Sequence, residues 1–265
     1  MQVHDAVFEL WVAPEDEGRA RSALEKQARD EAEGPIEPPA APDRGPSTIG
    51  VLMAVALLAF FWVTGERGGA DRGGWFRAGE AVAEKIMAGQ WWRATTALTL
   101  HADLAHVVGN GIAGVIFVGA LGRWLGGGLA AALIVSVGTL GNLVVAFYHQ
   151  SAHNSVGAST ATFGALGLLG GLQFHRWFSG QRTLSAYFRR RRALTIVAAC
   201  LGLFAMLGVG EKADVGAHLA GLALGVGTGI AVGPLGVRGV KWLGQGVLTA
   251  MTIAFVSVAW RLSRG

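Results

Sequence analysis

Charged residues and cysteine are both scarce in this sequence. Only 15% of the 265 residues are Asp, Glu, Lys or Arg, whereas ordinary soluble domains carry about 25%. The single cysteine, Cys200, excludes a disulfide framework and a thiolate metal cluster within the chain. In place of charge the chain has 52% apolar residues and 41 glycines. This composition excludes an ordinary soluble domain with a charged surface and indicates a membrane protein.

The charge that is present is divided unevenly along the chain. Residues 1–47 carry eleven acidic and five basic side chains, whereas residues 48–265 carry seven acidic and seventeen basic ones. The basic part is also the apolar part, so its positive charge does not indicate a nucleic-acid partner. We expect residues 1–33 to form a small acidic cytoplasmic segment, with a strand at Ala6–Val12 and a charged helix, whose role stays open. Residues 34–47 contain five prolines, which is typical of a linker.

Beyond the linker the sequence contains seven apolar stretches of the length needed to cross a bilayer, about 17–25 residues. They predict an all-α, polytopic membrane helix bundle, with six spans in residues 48–235 and an additional C-terminal seventh span at 243–260. The segment 65–100 is too polar to cross and contains paired aromatic residues, so we expect amphipathic elements at the membrane interface. The predicted spans lie at 48–64, 101–121, 127–147, 157–174, 193–209, 215–233 and 243–260.

Lysine and arginine in the short loops predict the orientation of these spans. The loops at 122–126, 175–192 and 234–242 contain most of these residues, whereas the loop at 148–156 has none and the loop at 210–214 has one. The positive-inside rule then puts the N-terminus in the cytoplasm and the end of the seventh span outside. We therefore expect a multi-pass protein of the cell (inner) membrane.

A few polar side chains lie inside the predicted spans, where such groups are costly and often functional. They are His106 and Asn110 in the second span, Ser159 in the fourth and His218 in the sixth. These three spans all begin at the outer side, so the four side chains are expected at a similar, shallow depth. Each of them alone also fits ordinary helix packing or an interhelical hydrogen bond. Together they predict an outward-facing, water-accessible cavity.

The four side chains are suited to nucleophilic catalysis by a serine. The hydroxyl of Ser159 needs a base to take its proton, and the neutral imidazole of His218 is such a base near pH 7. Asn110, His106 and the backbone N–H of Ser159 are suited to stabilising an oxyanion. Asp214 lies one turn before His218, at the membrane edge, so the sequence predicts a Ser-His dyad rather than a triad.

In these segments the sequence resembles the rhomboid family of intramembrane serine proteases, over about residues 48–235. WWRATTALTLHADLAHVVGN is similar to the family's Trp-Arg pair and the His and Asn pattern that follows it. VGAST is similar to the nucleophile motif Gly-x-Ser-Gly, and AHLAGLALG to the sixth-helix motif Ala-His-x-x-Gly-x-x-x-Gly. The matching residues are Trp92, Arg93, His101, His106, Asn110, Gly157, Ser159, Ala217, His218, Gly221 and Gly225.

Two residues depart from the family pattern. Thr160 stands where the family usually has glycine, and Phe163 stands where a tyrosine often stacks on the catalytic histidine. A phenylalanine ring can still stack there. Thr160 adds bulk beside Ser159. Its hydroxyl can bond the local backbone, and we expect its methyl group to fit between the fourth and sixth spans.

Glycines at four-residue spacing follow the predicted nucleophile and base. Gly167 and Gly171 lie behind Ser159, and Gly221, Gly225 and Gly229 lie behind His218. Such spacing lets two helix backbones approach closely, which the fourth and sixth spans must do if Ser159 is to reach His218.

The resemblance implies an intramembrane serine endopeptidase that cleaves transmembrane segments of single-span membrane proteins near the outer face. The alternative is a catalytically inactive rhomboid-like protein that binds or escorts membrane clients. The spans lack the acidic residues of an ion-coupled transporter, and the chain lacks the HExxH motif of a metalloprotease. We expect the lipid bilayer as the surroundings, with no cofactor, no metal and no nucleic-acid partner. The sequence leaves the identity of the substrates and the oligomeric state open.

Overall fold

The computed structural model describes residues 11–32, 42–66, 74–149, 153–178, 186–207 and 214–265. In the acidic segment, a short 3-10 turn at Pro14–Asp16 leads into a helix, α1 (Glu17–Ala32), where the sequence predicts one. The strand predicted at Ala6–Val12, apart from its last two residues, and more than half of the proline-rich linker lie outside the described residues.

The rest of the described chain is a bundle of mostly apolar helices, which confirms the predicted all-α polytopic fold. Among the described residues, α6, α7, α11 and Val215–Leu235 of α10 are long and apolar enough to cross a membrane, and two further apolar helices are shorter. After α1 the helices are α2 (Ile49–Thr64), α3 (Trp75–Gly79), α4 (Ala83–Met87), α5 (Arg93–Thr96), α6 (Leu104–Leu125), α7 (Gly127–His149), α8 (Ser159–Phe178), α9 (Ala186–Leu207), α10 (Val215–Arg238) and α11 (Trp242–Arg264).

Helix α8 lies at the centre of the bundle. It packs against α6, α7, α9 and α10, and its residues from Thr160 to Leu168 are all buried. Leu168 and Leu172 of α8 join Leu121 of α6 and Ile134 of α7 in the main apolar core. Because α8 contacts protein on most sides, it tolerates threonine and glycine better than a helix that faces lipid.

The closest helix pair is α8 and α10, and glycine makes this proximity possible. A Cβ atom added at Gly221 would overlap the carbonyl oxygen of Thr160, and one added at Gly225 would overlap the carbonyl oxygen of Gly164. The same backbone contact repeats along the pair at Gly167, Gly171 and Gly229. The predicted close approach of the fourth and sixth spans is therefore confirmed.

The segment between α2 and α6, which we call the first loop (residues 74–103 as described), is folded into the protein. Its strand β1 (Ala81–Val82) pairs antiparallel with β2 (Asn154–Ser155), a small exception in an otherwise helical fold. Helix α5 is buried throughout its length. Apolar and small side chains of α4 and α5 pack on α7, so this part of the loop contacts protein. Its position at the membrane interface stays a prediction.

Arg93 holds the first loop together from within. Its guanidinium donates to Gln90 Oε1 at 2.6 Å and to the carbonyl oxygens of Glu80 and Arg77 at 3.0 Å each. Burial lowers the pKa of Arg93, while the charge of Glu80 opposes that shift. A guanidinium suits this position because its donors fan out in one plane and can reach three acceptors at once.

The last helix, α11, packs along the side of α7 and connects the two ends of the bundle. Near its start, Gln245 bonds the backbone of Leu125 and Leu129 at the turn between α6 and α7. Near its end, the indole of Trp260 donates to Thr99 Oγ1 at 3.1 Å and its ring contacts the ring of Trp75. The first loop is therefore supported by α11 as well as by the six-helix core.

Candidate active site

The candidate site lies where the first turns of α6, α8 and α10 meet. Asp103 caps α6 by accepting a hydrogen bond from the backbone N–H of His106 at 2.8 Å, and the helix begins at Leu104, three residues later than predicted. His101 therefore lies in the loop before the span. His106 and Asn110 follow on the first two turns of α6, one above the other.

Asn110 is buried, with 8% of its surface exposed. Its amide nitrogen Nδ2 has no hydrogen-bond partner among the described residues. Buried donors are nearly always paired in folded proteins, so an unpaired one is available to an acceptor that enters the site.

Gly157 lies directly against His106 and Asn110. Its φ angle is +126°, and a Cβ atom there would lie 2.6 Å from His106 Nε2 and 3.6 Å from Asn110 Nδ2. A residue with a side chain would be excluded by both the backbone angle and the contact. This close approach puts the side chains of α6 next to the residue two positions before Ser159.

Ser159 is the first residue of α8 and is partly exposed. The backbone just before it is held by the first loop: Gly157 N donates to the carbonyl oxygen of Ala97 at 2.9 Å, and Ala158 N donates to His101 Nε2 at 3.3 Å. The Nε2 atom of His101 must be unprotonated to accept that hydrogen bond. In agreement, burial and then the nearby His106 lower the pKa of His101 to about 3.

His218 lies on the first turn of α10 and is buried, with 6% of its surface exposed. The Phe163 ring lies against its imidazole with centroids 4.5 Å apart and planes tilted by 31°, so phenylalanine fills the expected aromatic position. Asp214 caps α10 with one carboxylate oxygen on Ala217 N at 3.0 Å. Its other oxygen contacts His153 Nε2 at 2.8 Å.

The structure brings the four predicted site residues to one end of the bundle. His106 and His218 are close enough to interact electrostatically, and Phe163 of α8 joins His218 to the helix that Ser159 begins. The chemistry available there is that of a hydroxyl, an imidazole and an unpaired amide donor. Among the residues that the structure describes, no group of three or more His, Cys, Asp or Glu is arranged to hold a metal ion.

Sequence reasoning missed a buried polar connection beside Ser159. Thr160 Oγ1 donates to Asn142 Oδ1 at 2.9 Å, and Asn142 Nδ2 donates to the carbonyl oxygen of Ala94 at 2.8 Å. The Thr160 hydroxyl thus bonds α7 and not the local backbone. The prediction that its methyl group fits between the fourth and sixth spans was wrong, because the methyl group contacts Gly141 of α7, the third span. Asn142 is a polar residue inside a predicted span, so the criterion that selected Asn110 also selects it.

The fold and the site together define a multi-pass membrane protein with polar side chains gathered between its helices. The Rhomboid domain family matches residues 88–235, which is more than half of the chain. The chain belongs to the rhomboid family.

Two curated relatives are similar over parts of the chain. The rhomboid protease GluP of Bacillus subtilis (strain 168) is 25% identical over 207 residues, which is 78% of this chain and 39% of GluP. A second protein of that organism, named "Putative rhomboid protease YdcA", is 34% identical over 80 residues, which is 30% of this chain and 40% of YdcA. The matched regions thus cover about two fifths of the length of each relative.

Proposed function

We propose that this protein is an intramembrane serine endopeptidase in which Ser159 is the nucleophile and His218 is the general base. Its substrates are transmembrane segments of single-span membrane proteins. The catalytically inactive, client-binding alternative makes the opposite prediction for every measurement of Ser159 reactivity described below.

The observation that carries this proposal is the unpaired donor of Asn110. Its Nδ2 is buried and unpartnered among the described residues, and it faces the Gly157 backbone that leads into Ser159. An amide N–H held in this way is suited to stabilising the oxyanion of an acyl-transfer reaction.

The reaction follows from these side chains. His218 accepts the Ser159 proton as Oγ bonds to the scissile carbonyl carbon, and negative charge moves to the carbonyl oxygen near Asn110 and His106. His218 then gives that proton to the amine as the C–N bond breaks, which leaves an ester on Ser159. Water attacks the ester, His218 takes a proton from it, and the acid product leaves as Ser159 recovers its proton.

The setting of the reaction is also part of the proposal. We propose a cell-membrane protein with a cytoplasmic N-terminus, so that the Ser159 end of the bundle opens outward. The acidic segment 1–33 and linker 34–47 then precede a membrane core at 48–235, with 243–260 as an added span. A reporter enzyme that is active only outside the cytoplasm, fused after Gly265, would be active in this orientation and inactive in the reverse one.

Labelling with a serine-directed fluorophosphonate tests the nucleophile on the purified full chain. We expect the wild type to be labelled and the variants Ser159→Ala and His218→Ala to be unlabelled and unable to cleave a transmembrane reporter. Ser155→Ala is a matched control, because β2 holds this residue by its backbone and the substitution keeps that pairing. The double variant Ser159→Ala/His218→Ala should be no worse than either single one, because the two groups act as a unit.

Equal labelling of the wild type and Ser159→Ala, with reporter cleavage unchanged by the substitution, would refute the dyad. A wild type that inserts normally but neither reacts nor cleaves would instead favour the client-binding alternative.

A further inference from the structure

We propose that Thr160 and Asn142 are positioning residues that fix Ser159 by anchoring the first turn of α8 to α7 and to the first loop. The inference rests on the proposed function, because it concerns how the nucleophile is held. The anchor is a chain of two hydrogen bonds, from Thr160 Oγ1 to Asn142 Oδ1 and from Asn142 Nδ2 to the carbonyl oxygen of Ala94.

The anchor is fully enclosed by protein. Thr160 is 3% exposed, Asn142 is 4% exposed and Ala94 is completely buried. Hydrogen bonds that are shielded from water are electrostatically stronger than exposed ones, and breaking either would leave a buried polar group unpaired. The two bonds therefore hold three separate parts of the fold in one fixed arrangement.

The hydroxyl of Thr160 bonds across to another helix and not to its own helix. Thr162, two residues later in the same helix, donates to the carbonyl oxygen of Ala158 at 3.1 Å, which is the usual bond of a threonine within a helix. Thr160 instead donates across to Asn142. Its side chain thus serves a contact between helices rather than its own helix.

The space around Thr160 is matched to its shape. A Cβ atom at Gly141 would lie 2.6 Å from the Thr160 methyl carbon, so the methyl group packs where α7 has no side chain. On the other side the Thr160 carbonyl oxygen faces Gly221 of α10. Thr160 is held from two helices, and Ser159 is joined to it by one peptide bond, so displacement of Thr160 also displaces the nucleophile.

The test separates the hydroxyl of Thr160 from its shape. Thr160→Val keeps the volume and removes the donor, whereas Thr160→Ser keeps the donor and removes the methyl group. Asn142→Ala breaks the same bond from the other side and replaces Thr160→Val if that variant does not fold. A displacement of about 1 Å in a reacting group can lower the rate about 100-fold, so we expect a loss of at least about tenfold where the bond is broken.

Thr139→Val provides the matched control for stability. Thr139 lies on α7 one turn before Asn142, and its hydroxyl is 3.1 Å from that of Thr95 in the first loop. Its removal breaks a buried bond between α7 and the first loop, the two elements that Asn142 also joins, and leaves the bond from Thr160 to Asn142 in place. We expect Thr139→Val and Thr160→Val to lower the Tm by similar amounts and only Thr160→Val to slow the chemistry.

The measurements are the fluorophosphonate labelling rate, kcat and KM on a transmembrane reporter, and Tm. Thr160→Val and Asn142→Ala should label at least about tenfold more slowly, with kcat lowered and KM changed by less than about twofold, and Thr160→Ser should restore the rate. The double variant Thr160→Val/Asn142→Ala should be no slower than Asn142→Ala.

Labelling of Thr160→Val at the wild-type rate, or an equal loss of labelling rate in Thr139→Val, would overturn the inference. A wild type that is not labelled at Ser159 would instead show that the proposed function itself is wrong.

Discussion

Acidification should destabilise this protein through His101, in the loop before α6. His101 is completely buried, and its Nε2 accepts a hydrogen bond from the backbone N–H of Ala158. Protonation of Nε2 would turn this acceptor into an N–H donor, which would then face the backbone N–H of Ala158 and lose the hydrogen bond. Burial, followed by the nearby His106, lowers the pKa of His101 to about 3, so the folded protein keeps this imidazole neutral at mildly acidic pH.

The size of the effect follows from proton linkage. In the unfolded chain a histidine has a pKa of about 6.5, so between about pH 6.5 and pH 3 the unfolded state binds a proton that the folded state does not. Stability therefore falls as the pH falls through this window, and above it His101 has no effect. Each pH unit lowers the free energy of unfolding by about 1.4 kcal/mol, which gives about 2 kcal/mol between about pH 6.5 and pH 5.

The assay is unfolding of the purified protein in detergent micelles, at about pH 7.5 and about pH 5. His101→Gln keeps an acceptor for Ala158 in its amide oxygen but does not titrate, so its stability should fall less on acidification than that of the wild type, by about 2 kcal/mol. His149→Gln removes an exposed imidazole and controls for the loss of a histidine as such. Parallel pH dependences of the wild type and His101→Gln would refute the reasoning.

Three further predictions concern other contacts. Asn110→Ala should lower kcat about 10²–10³-fold with little change in KM, and a raised KM at constant kcat would make Asn110 a substrate-binding residue. Gly225→Ala should lower stability by about 1–3 kcal/mol in an unfolding assay, because the new methyl group overlaps the Gly164 backbone, whereas Gly227→Ala, with open space around it, should not. Trp260→Phe should cost about 1 kcal/mol by removing the bond to Thr99, and equal stability of this variant and the wild type would show that α11 does not support the first loop through that bond.

Much of the fold followed from short-range features of the sequence. Apolar stretches long enough to cross a bilayer predicted the helices, because a backbone in lipid must satisfy its own hydrogen bonds. Glycines at four-residue spacing predicted the contact between α8 and α10, since only a residue without a Cβ atom lets two backbones touch. These patterns are periodic and lie within one element, so they can be recognised without knowing the partner.

The candidate site was predictable as a set of residues but not as an arrangement. His106, Asn110, Ser159 and His218 stood out because polar groups are costly inside a span. That Asn110 keeps an unpaired donor beside Gly157 depends on the loop before α8, whose path is set by hydrogen bonds to Ala97 and His101. Contacts of this kind join residues about 60 positions apart and leave no periodic trace in the sequence.

The role of Thr160 was decided by the tertiary structure. In the sequence Thr160 added bulk beside Ser159, its hydroxyl could bond the local backbone, and its methyl group was predicted to fit between the fourth and sixth spans. In the folded protein α7 presents the side-chain oxygen Oδ1 of Asn142 to the Thr160 hydroxyl, and the Thr160 methyl group packs against the backbone of Gly141. A hydroxyl bonds whichever buried acceptor lies in reach, so the sequence determined that Thr160 needs a partner, and the packing of α7 against α8 determined which one.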